Sequence, residues 1–104
     1  DGFALITATG KVIKCNTLLA PVVGKKQRQI LKAETFDELL GFYVGDKKLD
    51  LNEIMSSKNR IDEIRADNGT NNDLRVTINS FPFFSKTDPE RLIGSFLLIR
   101  DVTA

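Results

Sequence analysis

The sequence has no histidine and no tryptophan, and only one cysteine, one methionine and one tyrosine among its 104 residues. Each shortage closes a branch. Without histidine the chain lacks the commonest general base, the usual proximal haem ligand and most zinc-site arrangements, so histidine-ligated haem is excluded and no metal site is expected. A single cysteine, Cys15, forms no internal disulfide, which fits a reducing, cytoplasmic setting. No apolar run nears the ~20 residues that span a bilayer, and no segment carries a signal-peptide pattern, so direct membrane insertion is not expected. A dominant charge is missing too: 15 Lys and Arg oppose 14 Asp and Glu, for a formal charge of +1. The densest basic run, Lys25-Lys26-Gln27-Arg28, has no aromatic residue within it. It is too narrow for a nucleic-acid footprint and reads as a solvated edge.

What remains is ordinary for one folded domain, 41% hydrophobic and 28% charged, here taken as residues 1–104. Phe3–Thr7 and Lys11–Cys15 read as strands joined by a glycine-bearing turn at Ala8-Thr9-Gly10. Asn16 is expected to cap a short helix that carries Leu18, Leu19, Val22 and Val23 and stops at Gly24, with Pro21 distorting it. Residues 25–48 give weaker signals: a turn at Gln27–Leu31 and a short helix capped by Thr35. Asp50 looks like the cap of a further helix that fades by Ser57. Arg60–Ala66, Leu74–Phe81 and Leu92–Val102 read as three more strands, the first two around Asn68-Gly69. Phe81-Pro82-Phe83-Phe84 is expected to cap the core edge or to form a lid or partner contact.

Strand side chains alternate, so each strand divides into two faces. On the last strand Ser95, Leu97 and Ile99 oppose Phe96, Leu98 and Arg100; on the first, Ala4 and Ile6 oppose Phe3 and Leu5. Strands apolar on both faces are central and covered on both sides. Helices between strands two and three can cover one face only. Phe3, Leu5, Phe96 and Leu98 are therefore expected to form an outer patch that takes a second copy or a flanking helix, at about 1.5–3 kcal/mol for each side chain buried. Placing a charge at Phe96 or Leu98 is expected to weaken self-association while leaving the fold intact.

In order and spacing, Asp1-Gly2-Phe3-Ala4-Leu5-Ile6, Gly10-Lys11-Val12-Ile13-Lys14-Cys15-Asn16, Asp67-Asn68-Gly69 and Gly94 through Asp101-Val102-Thr103 resemble a PAS (Per-Arnt-Sim) sensor domain over nearly the whole chain. The resemblance implies an α+β fold: a five-stranded antiparallel sheet in the order 2-1-5-4-3 with short helices on one face. It departs at Thr7, where the family often has an acidic residue, and at Pro21. The ending looks like the family's exit motif. Asp101 and Thr103 are thus expected to hand the last strand over to a downstream helix, by simple capping or as a signalling joint.

The resemblance further implies a regulatory, non-catalytic module of a larger bacterial or archaeal signalling protein, such as a histidine kinase or cyclic-dinucleotide enzyme. Its expected partners are a second copy and an effector domain of the same parent chain. The cofactor is unknown. A covalent-adduct flavin is disfavoured, because no Gly-Arg-Asn-Cys-Arg-Phe-type string exists. Ile99 stands where a flavin-reading glutamine would be. Candidates facing a core cavity are Ile6, Ile13, Ile54, Ile64, Val76, Ile78, Leu97 and Ile99, with Ser95 the one inward hydroxyl; plain packing is the competing reading of all of them. Two rival functions stay open: a ligand-free dimerisation adaptor, and a small α+β enzyme using Asp and Glu. For the latter no carboxylate pair stands out, since Asp62 and Glu63 point to opposite faces of a regular strand.

Overall fold

The computed structural model describes residues 1–104. Seven strands, β1 (Gly2–Thr7), β2 (Val12–Cys15), β3 (Gly41–Val44), β4 (Lys47–Lys48), β5 (Ile61–Asp67), β6 (Leu74–Phe84) and β7 (Leu92–Asp101), form one antiparallel sheet in the order β2-β1-β7-β6-β5-β3-β4. The expected five strands and the order 2-1-5-4-3 are therefore corrected. The additional pair is a hairpin at the far edge. Phe42-Tyr43-Val44 is β-rich, and Gly45, at φ 61°, makes with Asp46 a two-residue turn into Lys47. β3 then pairs with the free side of β5.

The first and last strands lie side by side in the interior of the sheet, in register from Gly2↔Ile99 to Thr7↔Gly94. Gly94 permits this approach: a Cβ there would sit 2.6 Å from the Ile6 carbonyl oxygen. Pro82 is tolerated in β6 because β5 pairs with β6 no further than Ile78, leaving Pro82 on an open edge where no ladder donor is needed.

Two bulges reset the faces. Between β1 and β2 the register jumps from Leu5↔Lys14 to Ile6↔Val12, which leaves Ile13 as the extra residue. Val12 and Cys15 turn inward, and Ile13 turns outward with 58% of its surface exposed. The expectation that Ile13 faces a cavity is thus corrected. In β5, Ile61 pairs with Ile78 and Ile64 with Val76, so both isoleucines face inward across a bulge at Asp62-Glu63, where Glu63 adopts φ 49°. Asp62 and Glu63 are both exposed. Their expected placement on opposite faces assumed a regular strand, which the bulge removes.

Three short helices, α1 (Leu19–Val23), α2 (Gln27–Lys32) and α3 (Leu51–Ser56), and a 3-10 turn at Phe36–Glu38 cover one face. Asn16 caps no helix. Its Oδ1 accepts the Phe3 N–H at 3.0 Å and its Nδ2 donates to the Asp1 carbonyl at 3.0 Å, which pins β1 to the end of β2. Because α1 starts at Leu19, Pro21 falls in its first turn, where a missing N–H breaks no helical bond. Gly24, in the left-handed conformation, closes α1. Thr35 Oγ1 accepts the Asp37 N–H, and Asp50 Oδ1 accepts the Asn52 N–H, each at the start of its element. The helices and the inner sheet face enclose a core of 21 buried hydrophobic residues.

Candidate functional site

On the inner face, Ile6, Ile54, Val76, Ile78, Leu97 and Ile99 are each at most 1% exposed, packed with Phe36, Phe42 and Met55. Ile64 lies half-buried at the rim of this cluster. These side chains meet one another. Of the five principal concavities, none is lined by Ile54, Val76, Ile78, Ser95 or Leu97. Ser95 is fully buried, and its Oγ has no hydrogen-bond partner. A buried hydroxyl left so costs about 1–3 kcal/mol. Cys15 is buried, and burial pushes its thiol pKa up, away from the thiolate that reactive cysteines need.

The outer face differs. Phe3 stands opposite Leu98, Leu5 opposite Phe96, Phe81 opposite Phe96 and Phe83 opposite Gly94. The Phe3 and Phe96 rings stack with centroids 5.0 Å apart, and Phe81 tilts against Phe96 at 6.3 Å. Phe3, Leu5, Phe96 and Leu98 share this face as expected and are half-buried by one another. Around them Phe81, Phe83, Ile93 and Ile13 are each 50–58% exposed. Because Gly94 has no side chain, Leu5, Ile13, Phe83 and Ile93 surround a shallow apolar concavity of about 180 Å³. Sequence reasoning offered Phe81-Pro82-Phe83-Phe84 as a core-edge cap, lid or partner contact but did not join it to this patch, because it ended the β6 strand at Phe81. Continuing the alternation through Pro82 to Phe83 would have placed Phe83 beside Phe81. Toward β5 the same face becomes polar, with Arg65 and Arg75 directly opposed and Arg65 lying over the Tyr43 ring at 4.4 Å.

The end of β7 is fastened to β6. Thr103 Oγ1 accepts the Arg75 N–H at 3.0 Å, the Val102 N–H donates to the Arg75 carbonyl at 2.8 Å, and Asp101 Oδ1 accepts the Thr103 N–H at 2.9 Å. Asp101 and Thr103 are both exposed. At the same end of the sheet, the β5–β6 turn is fastened by buried Asn68. Its Nδ2 donates to the Val22 carbonyl at 2.9 Å, while its Oδ1 accepts from the Thr70 and Asn71 amides and the Thr70 hydroxyl. Carboxylates do not converge: Asp62 pairs with Arg60 at 2.7 Å and Asp37 with Lys48 at 3.1 Å, both at the surface.

An interior β1–β7 pair, helices on one face and a β7 strand leaving beside β6 define the PAS fold. The PAS-B domain of Drosophila melanogaster Cycle, solved with bound ethylene glycol, superposes with a TM-score of 0.66 over 97% of this chain and 99% of that one, at 15% identity. No family model matches the sequence, and no curated protein matches it. No helix is long and apolar enough to cross a membrane.

Proposed function

We propose that this chain is a regulatory PAS module of a larger signal-transduction protein and works by association through the outer sheet face. The observation that carries the reading is that face: four half-buried apolar side chains on β1 and β7, ringed by four that are half-exposed. Burying the exposed remainder of Phe81, Phe83, Ile93 and Ile13 contributes roughly 1 kcal/mol each. Counted on both copies of a dimer, that total is comparable with what association costs in lost freedom. The face therefore supports a weak homodimer on its own, and a firmer one when a flanking helix of the parent chain adds to it. A change at the face alters the balance between two arrangements of β7, and the Asp101-Val102-Thr103 clasp passes it to a downstream effector such as a histidine kinase or cyclic-dinucleotide enzyme. In this reading the parent is a bacterial or archaeal protein, the module sits in the cytoplasm, and it performs no catalysis itself.

The filled inner core favours a module that needs no resident ligand. Buried Ser95 favours the alternative, in which a small molecule with a hydrogen-bonding group enters among Ile6, Ile54, Ile64, Val76, Ile78, Leu97 and Ile99. Native mass spectrometry separates the two. A bare chain with a concentration-dependent dimer supports the ligand-free module. A retained small molecule that is lost on Ser95→Ala overturns it.

A further inference from the structure

The near-neutral charge of the chain conceals a division. Residues 1–33 hold six of the cations and one acid, Asp1, whereas residues 34–104 hold nine cations and thirteen acids. Asp1 faces Arg100 at 3.7 Å, and from Gly2 to Ala33 there is no Asp or Glu at all. The fold gathers these cations along one edge. Gln27 Nε2 donates to the Cys15 carbonyl at 2.7 Å, and Lys11 Nζ donates to the carbonyls of Leu31 and Ala33 at 2.7 and 2.9 Å. These bonds lay α2 antiparallel along β2, the outermost strand on that side. Lys14 is thereby set beside the chain segment that bears Lys25, Lys26, Arg28 and Lys32. Lys14, Lys26, Arg28 and Lys32 are exposed, and none of these five forms an ion pair, whereas four of the nine cations in residues 34–104, Lys48, Arg60, Arg75 and Arg100, do.

Gathering like charge costs folding free energy through self-repulsion, and a partner of opposite sign offsets it. Nucleic acid is a poor fit, because no aromatic side chain lies among the cations for bases to stack on. We propose that the β2–α2 edge is a docking surface for an acidic protein segment, independent of the outer sheet face.

The test is fluorescence anisotropy with a labelled twelve-residue oligoglutamate. A 12-base-pair DNA duplex and phosphatidylserine vesicles serve as competing probes. Saturable binding is expected that weakens as salt rises. The double variant Lys26→Glu/Arg28→Glu should lose about tenfold in affinity. Lys58→Glu/Lys86→Glu, with the same change in net charge at exposed unpaired positions away from this edge, should lose less than about twofold. Equal losses in both variants, no binding at low salt, or tighter binding of the duplex or the vesicles would each overturn the proposal.

Discussion

Replacing Asn68 with alanine removes four hydrogen bonds from one buried side chain. Three of the groups released, the Thr70 and Asn71 amides and the Thr70 hydroxyl, belong to exposed residues and regain water. The fourth, the carbonyl of buried Val22, does not regain it so readily. Taking about 0.5 kcal/mol for each rewetted bond and 1–3 kcal/mol for the stranded carbonyl gives a loss of about 2.5–4.5 kcal/mol. For a domain of this size that is a fall of roughly 10–25 °C in Tm. Asn68→Asp refines the test. It keeps the three acceptor contacts but turns an anionic oxygen toward the Val22 carbonyl at neutral pH. As pH falls the protonated carboxyl regains a donor, so its folded-state pKa lies above the unfolded one and the deficit shrinks on acidification. Thermal denaturation of wild type and both variants between pH 3.5 and 7.5 reads these numbers. A loss below 0.5 kcal/mol for Asn68→Ala, or a pH-independent deficit for Asn68→Asp, refutes the reasoning.

Ser95→Ala removes a buried hydroxyl that has no partner, so it should raise stability by about 1 kcal/mol in urea denaturation; a loss of that size shows that the hydroxyl is bonded. Thr103→Val should speed amide exchange at Arg75 well beyond the few-fold change at core amides such as Leu97 that its global cost of about 0.5–1 kcal/mol brings; exchange at Arg75 that rises no more than at Leu97 contradicts the clasp. Burial raises the Cys15 pKa, so the folded state holds the thiol proton more tightly than the unfolded state does. That contribution to stability is fully present below the unfolded thiol pKa, declines as pH rises through it and levels off above the raised folded value. A native thiol that reacts with an aromatic disulfide at pH 8 as fast as the urea-unfolded chain contradicts this.

Much of the fold was legible because hydrophobic alternation carries it. Both faces of β1 and β7 are apolar, and that alone placed them in the interior of the sheet. The glycine at 24 and the caps at Thr35 and Asp50 also read correctly, since each depends on one residue and its neighbours. The failures share a cause. Bulges at Ile13 and at Asp62-Glu63 each add one residue, and a single added residue sends every later side chain to the other face, a shift that periodicity cannot reveal. The β3–β4 hairpin was hidden for another reason. Its strands are four and two residues long, and only the edge of β5, supplied by residues far along the chain, makes them strands. Asn16 behaves likewise: its side chain suits a helix cap, but the Phe3 amide competes for it and wins.

The candidate site was half legible. Phe3, Leu5, Phe96 and Leu98 followed from alternation. Phe83 was obscured by Pro82, which ended the expected strand too soon. The two halves have different uses as probes. Phe96 stacks between Phe3 and Phe81, so a charge there disturbs packing as well as association. Phe81 and Phe83 are half-exposed, and changing them isolates the surface.

Sedimentation equilibrium of wild type beside Phe81→Glu/Phe83→Glu tests the outer face directly. A reversible monomer–dimer equilibrium is expected for wild type, weakening at least tenfold in the variant with Tm little changed. A wild-type chain that stays monomeric at millimolar concentration, or a variant that dimerises as well as wild type, contradicts it.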